Sequence, residues 1–408
     1  MLRESLTGLK VVDFSVIGAG PTCSMFLGDM GADVVKVEPP DGDPGRRLGP
    51  PWYHERESAV YVAFNRNKRS VCIDLKSPEG VAVARRLIAS ADVVVESFRP
   101  GVLDRLGLGY AAMQECNPRL VYCSVSAYGR TGDYATRAGV DGILQAASGL
   151  MMVLGEAGQA PGKVQAPIVD VATGYMATIG VLARLIQRVR GGKGGHVDVS
   201  LFGTAVALQQ PSFTGFLGDG ALPARVGSAA PYSAPNEAFA ARDGWIMIAA
   251  YLGNRWDRLC ELLERPELVE DQRFLTSSLR VSNRDAMRVE LSAALALHDC
   301  DHWVDLLLQN DILCSKVCNY ADVVESPALA HLQLIAEMHG DDGHTYRTPG
   351  FPINSRESQS TPHRAPPRLG QDTKAVLFEL GYLRDEIDAL LSSGALLAPD
   401  SKGGHAGT

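Results

Sequence analysis

Short runs of β-branched apolar residues, spaced by helix-length segments, dominate the first half of this chain and leave few folds open. VVDFS (Val11 to Ser15) leads through a turn at Gly18 to Pro21 into a helical stretch, Thr22 to Met30. Pro21 lies near the first turn of that stretch, where a missing N–H costs nothing. ADVVKVE (Ala32 to Glu38), SVCIDL (Ser70 to Leu75), GVAVARRLIASADVVVESF (Gly80 to Phe98), LVYCSVSAYG (Leu120 to Gly129) and HVDVSLF (His196 to Phe202) repeat the pattern. Strands that are apolar throughout, rather than at alternate positions, are buried on both faces, and the intervening helices supply the cover. The expectation is an α/β fold built on a parallel sheet.

From Tyr232 to about Val324 the character changes. A hairpin-like piece, AFAARDGWIMIAA, precedes helices such as Arg255 to Leu263 and Ala286 to Leu297, which reads as a second, smaller domain. Residues 345–370 are irregular, Thr373 to Leu391 forms an amphipathic helix, and a Gly-rich tail follows. A length of 408 residues suits two or three domains. The net charge of −8 argues against nucleic acid or an anionic membrane as partner, while leaving room for a local basic pocket. The N-terminal MLRESLTGLKVVDFS lacks the apolar run of a signal peptide, and the greasiest stretch, Met176 to Ile186, is too short to span a bilayer. Eight scattered cysteines then read as reduced thiols, and a cytoplasmic location is expected.

Several motifs offer chemistry. GAGPTC after the first strand imitates a dinucleotide fingerprint, with Glu38 where a ribose-binding acid would stand. Cys23 replaces the third glycine, however, and Pro21 removes an amide, so a doubly wound fold without NAD is the better reading. Cys314 and Cys318 lack a matching second pair, His298, Cys300 and His302 read as a solvated turn, and no metal is expected. GGKGG (Gly191 to Gly195) lacks the spacing of a phosphate loop. Asp170, in PIVDVATGYM, is different. An aspartate between an apolar segment and a long helix, Val171 to Arg190, is commonly an N-cap. The same position suits a nucleophile, since a helix N-terminus favours the ionised carboxylate.

The segments LTGLKVVDFSVIGAGP, MGADVVKVEPPDGD, FNRNKRSVCIDLKSPEG, ADVVVESFRPGVLDRLGLGY, NPRLVYCSVSAYGRTG and APIVDVATGYMATIGVLARL together resemble the family III CoA transferases, which share a fold with α-methylacyl-CoA racemases. The resemblance runs from LTGLKVVDFS to FELGYLRDEI. It implies a large Rossmann-like domain of residues 1–205 completed by a return segment, 329–396, with a linker at 206–230, a small α+β domain at 231–328 and a flexible tail at 397–408. It further implies an interlocked homodimer, or a heteromer with a related subunit. Asp170 matches the nucleophile. Ile73, Asp74, Leu75 and Lys76 match one CoA-binding segment, Glu96, Ser97, Phe98 and Arg105 a second, and Val16 lies beside the acyl site. Coenzyme A and its esters are substrates in this family, and no tightly bound cofactor is expected. Lys68, Arg69, Lys76 and Arg105 form a basic group suited to the phosphates of CoA.

Departures from the family pattern refine the expectation. Gly18 stands where formyl-CoA members carry glutamine, Ser97 replaces an asparagine, and VGSAAPYSAP replaces a glycine-rich lid. A larger acyl group than formyl or oxalyl follows. Racemases carry a histidine where this chain has Val140, in Ala138-Gly139-Val140-Asp141, and a glutamate where it has Leu252. Valine cannot move a proton, so CoA transfer from a donor acyl-CoA to an acceptor acid is expected over racemisation, the alternative. Arg46, Arg47, Arg130 and Arg225 are candidates to clamp a second carboxylate, as in succinyl-CoA.

Overall fold

A computed structural model describes residues 4–54, 57–353 and 363–399. The chain divides into two compact units, one made of Met1–Ser148, Val164–Gln209 and Ala330–Thr408, the other of Gly149–Lys163 and Gln210–Leu329.

The first unit carries the sheet. In chain order its main elements are β1 (Lys10–Phe14), α1 (Ala19–Asp29), β2 (Asp33–Glu38), β3 (Lys68–Ile73), α2 (Pro78–Ala89), β4 (Val93–Glu96), β5 (Val121–Ser126), α3 (Asp141–Ala147), α4 (Ile168–Gly191) and β6 (Gly195–Ser200). The strands lie in the order β3-β2-β1-β4-β5-β6, all parallel, and Leu396–Leu397 adds an antiparallel edge beside β3. Successive strand residues point to opposite faces. Val11, Val34, Val93, Val95, Val121 and Cys123 accordingly enter a core shared with α1 and α4. Val12, Val35, Val94 and Tyr122 enter the opposite core, shared with α2 and the C-terminal helices. Both faces are covered, which is why the strand sequences show no polar alternation.

This order places a topological switch point between β1 and β4. From β1 the chain winds one way to β2 and β3, then returns to β4 and winds the other way. In open α/β sheets the crevice at such a point, beyond the carboxyl ends of the strands, is where ligands bind. Each connecting helix runs back against its strands, so the N-terminus of α4, which precedes β6, lies at that same edge.

Three expectations differ from the structure. The C-terminal helix is broken into Thr373–Glu379 and Arg384–Ser392, because Gly381 (φ 81°) closes the first piece. The Tyr382 amide bonds back to the Leu377 carbonyl at 3.1 Å, a Schellman ending. Gly149–Lys163 groups with the second unit instead of the large domain: Glu156 bridges Val226, and the Gly227 amide donates to the Gly155 carbonyl at 3.0 Å. The expected linker contains a helix, Gln210–Asp219. The tail beyond residue 399, and part of the irregular stretch, 354–362, lie outside the described residues.

The second unit holds β7 (Asn236–Ala240), β8 (Trp245–Ala249) and β9 (Leu313–Lys316) in the antiparallel order β9-β8-β7. Helices including Arg255–Leu262 and Arg284–Leu295 pack around Phe239, Ile246, Trp256, Phe274, Leu291 and Trp303.

Candidate active site

Asp170 is the third residue of α4. The helix begins three residues earlier than the sequence indicated, at Ile168, and its N-cap is Pro167, which has no side chain able to cap it. The simple N-cap reading of Asp170 is therefore corrected. The amides left open are met from elsewhere: the buried Asp141 carboxylate accepts from the N–H of Val169 at 2.8 Å and of Asp170 at 3.2 Å. Gln145 secures this arrangement. Its side-chain amide donates to Asp141 at 2.6 Å and to the Val164 carbonyl at 3.1 Å, and its oxygen accepts from the Val164 amide at 2.9 Å.

Close packing of α1 on α4 sets what Asp170 faces. A Cβ on Gly18 would stand 2.6 Å from Oδ2 of Asp170, and a Cβ on Gly174 would stand 2.5 Å from Cβ of Thr22. Asp170 and Gly174 are four apart on α4; Gly18 and Thr22 are four apart at the start of α1. Residues at this spacing share a helix face. Two matched contacts, each with glycine on one side, thus bring the Asp170 carboxylate against bare backbone.

The turn before α1 is strained. Ile17 has φ of 67°, rare for a β-branched residue, and the Gly18 amide bonds back across it to the Val16 carbonyl at 3.0 Å, a γ-turn. Such a conformation costs about 1–3 kcal/mol and persists only where surroundings enforce it. Val16 is held by Ser97, whose Oγ accepts the Val16 amide at 3.1 Å. Val16 follows β1 and Ser97 follows β4, so these two predicted site residues meet at the switch point.

Beneath the turn lies a buried ionic layer. Asp13 on β1 is paired with Lys68 at 3.0 Å and hydrogen-bonded by Ser24 at 2.6 Å and by Ser15. Burial would raise the Asp13 carboxyl, but Lys68 and Lys36 outweigh it and hold it at about 2. Glu38 behaves alike. Against burial, the Arg46 fork at 2.7 Å, Lys36 and Ser70 hold it at about 2. A Glu38 consumed in this way is not available to a ribose, consistent with the broken dinucleotide fingerprint.

The remaining predicted residues separate into exposed and engaged groups. Lys76 and Arg105 are exposed, the first after β3, the second ending the short helix Val102–Arg105 after β4. Asp74 accepts the Lys76 amide at 2.9 Å and, with Leu75, is half-buried. Ile73 is fully buried and paired with Leu396, so it presents no accessible atom to a ligand. Glu96 is buried, accepting from the Phe98 amide at 2.9 Å and from Arg130 at 2.9 Å, and burial raises its carboxyl despite these partners and Ser124. Phe98 packs partly into the α2-side core.

Four basic candidates, Lys68, Arg69, Arg46 and Arg130, are consumed by ion pairs and so corrected. Lys68 is fully buried on Asp13, and Arg69 is held by Asp33 at 2.6 Å and Glu379 at 2.7 Å, so neither belongs to an open phosphate site. Arg46 is bound to Glu38 and stacked over Tyr61; Arg130 bridges Glu96 and Asp104. Arg225 lies in the second unit, donating to the Ala160 carbonyl at 3.1 Å. Arg47 is exposed, ends the turn Pro44–Arg47 and pairs with no carboxylate among the described residues. Sequence reasoning missed Asp141, Gly174, Asp43 and the strain at Ile17. Only Gly174, four residues beyond Asp170, left a readable signal.

Known proteins resemble this chain over nearly its whole length. Residues 6–373 match the model of CoA-transferase family III. A succinyl-CoA:glutarate CoA-transferase of Mus musculus is 35% identical over 401 residues, covering 98% of this chain and 92% of that protein. A succinate–glutarate CoA-transferase of Agrobacterium fabrum is 33% identical, covering 93% of this chain and 96% of that one. The crystal structure of a CAIB/BAIF family protein from Brucella suis superposes with a TM-score of 0.83 at 35% identity, covering 92% of this chain and 98% of that chain.

Proposed function

Because the chain belongs to CoA-transferase family III, and so is an enzyme that moves CoA between carboxylic acids, we propose that it does so by ping-pong covalent catalysis at Asp170, with a dicarboxylic acyl-CoA such as succinyl-CoA as donor. The observation that carries the mechanism is the Asp170 carboxylate on the first turn of α4, facing Gly18 with no side chain between.

A carboxylate oxygen of Asp170 attacks the donor thioester carbonyl, the C–S bond breaks, and CoA leaves as thiolate from a mixed acyl–aspartyl anhydride. The thiolate attacks the aspartyl carbonyl and expels the donor acid, leaving an aspartyl–CoA thioester. The acceptor carboxylate attacks that thioester and again frees the thiolate. The thiolate then attacks the new acyl carbonyl, forming product acyl-CoA and restoring Asp170. One thioester is exchanged for another, so no external energy is required. The amides of Val16, Ile17 and Gly18 are engaged within the protein, so oxyanion stabilisation is assigned to the backbone amides that follow them, at the first turn of α1. Val140, at the N-cap of α3 next to Asp141, offers no proton carrier for the racemase alternative.

Arg47 supports the dicarboxylate reading. Of the arginines in the first unit nominated for a second carboxylate, it alone is not consumed by an ion pair among the described residues, and Gly45, two residues before it, adjoins Ile17. Lys76 and Arg105 are proposed to meet the phosphates of CoA, at the same sheet edge as the switch point.

Asp170→Asn tests the mechanism. Asparagine keeps the size of the side chain, so folding is expected to survive while transfer falls by orders of magnitude. Wild-type enzyme treated with donor acyl-CoA and then hydroxylamine should carry a hydroxamate at residue 170. Near-normal transfer by a folded Asp170→Asn protein would sink the mechanism. The donor is tested by screening acyl-CoA esters against carboxylic acids by mass spectrometry, with succinyl-CoA and glutarate expected among the active pairs.

A further inference from the structure

The carboxylate of Asp43 is almost wholly buried and reaches beyond its own turn. It follows β2, and its Oδ1 accepts the Gly45 amide at 2.7 Å as an ordinary turn would require. The same oxygen also accepts the amide of Ile17 at 3.1 Å, and Oδ2 lies 3.3 Å from that amide. Oδ2 is fixed by Lys36 at 2.8 Å, and Lys36 in turn donates to the Ser15 carbonyl at 2.9 Å. Asp43 and Lys36 therefore grip the Ser15–Gly18 turn at two points, on either side of Val16. The gripped residue, Ile17, is the one in the left-handed region, and the next residue is the glycine that faces Asp170.

We propose that Asp43 is a positioning residue for acyl transfer, in which its Lys36-locked carboxylate holds Ile17 in the γ-turn and thereby sets the separation between Gly18 and Asp170. Without that grip, Ile17 relaxes to a negative φ, and the start of α1 shifts relative to the nucleophile. The inference rests on the reading of Asp170 as nucleophile. It extends that reading to a residue that acts through the backbone of the turn.

The test is a double-mutant cycle between positions 43 and 17 on the full-length enzyme. Asp43→Asn keeps an acceptor for the amides but loses the charge that locks to Lys36. Its kcat should fall by about 10- to 100-fold, as misplacement of a reacting group does, with the KM for the CoA ester changed less than about twofold. Glycine adopts the left-handed conformation freely, so in an Ile17→Gly protein the turn no longer needs holding. There the loss caused by Asp43→Asn should shrink by at least about fivefold, a coupling that general destabilisation would not produce. An equal loss in both backgrounds, or an unchanged kcat in Asp43→Asn, overturns the proposal. If Asp43→Asn does not fold, Asp43→Glu, which keeps the charge one methylene further out, gives the same reading. Asp170→Asn measured alongside separates the two claims. Normal transfer there rejects the nucleophile, whereas the cycle still reports on the grip at Ile17.

Discussion

The carboxylate of Asp141 lies at hydrogen-bond distance from the backbone N–H of Asp170, 3.2 Å, and closer still to that of Val169, 2.8 Å. A helix whose own N-cap is proline thus borrows its cap from a residue some thirty positions earlier. Asp141→Ala should leave two amides open and cost about 0.5–2 kcal/mol of stability, read as a lowered denaturation midpoint. Transfer should fall more than CoA binding, because the first turn carries Asp170, the proposed nucleophile. An Ala variant with wild-type stability would show that the cap is dispensable.

Gly18→Ala places a methyl group 2.6 Å from Asp170 Oδ2. The carboxylate must move, and transfer should drop about 10- to 100-fold while the CoA-ester KM stays near wild type. The stability cost should be about 1–3 kcal/mol, as for other overpacked contacts. Steady-state kinetics beside a melting curve decide the matter; full activity would mean that Asp170 does not work from this position.

Lys76→Ala and Arg105→Ala should each raise the CoA-ester KM more than they lower kcat, since phosphate contacts serve ground and transition states alike. A charge-assisted contact contributes about 1.5–3 kcal/mol. Arg69→Ala is the contrast: its partners Asp33 and Glu379 are structural, so stability should decline and KM should not. Unchanged KM in both Lys76 and Arg105 variants would remove CoA from this edge.

Acid stability follows from Asp13 and Glu38. Both carboxyls sit at about 2 in the folded chain, below ordinary values of 3.8 and 4.5. The unfolded chain therefore binds protons at higher pH than the folded one. The stabilisation is complete above roughly pH 5 and is lost as pH falls towards 2. Melting temperature should decline steeply across that window. Glu38→Gln, less stable at neutral pH, should show a shallower decline, and a flat profile in the wild type would contradict the pairing.

The sheet was legible because burial on both faces writes itself into each strand: Val11 and Val12 serve opposite cores, and both had to be apolar. Asp170 stood out in the sequence as the candidate nucleophile but was misplaced in its helix. Local cap preference favours starting the helix after an aspartate, and nothing near residue 170 reveals that Asp141 will satisfy the earlier amides. The basic group failed for a related reason. Sequence displays charge without its partner, and Lys68 meets Asp13 only because β3, β2 and β1 come to lie side by side. Arg46 and Arg130 were lost to Glu38 and Glu96 in the same way.

The paired rows Gly18–Thr22 and Asp170–Gly174 make the aim of the Asp170 carboxylate a matter of angular phase. Each residue of an α-helix advances the side-chain direction by about 100°. One residue inserted into α4 between Asp170 and Gly174 would lengthen the helix by only about 1.5 Å and leave most of its burial intact, yet point the carboxylate away from α1. An insertion of the same size in the exposed stretch before Pro167 would change no phase at all. Tolerance to insertion should therefore switch abruptly at the first turn of α4, and a scan of single-alanine insertions would trace the boundary between scaffold and reactive centre as a step in activity.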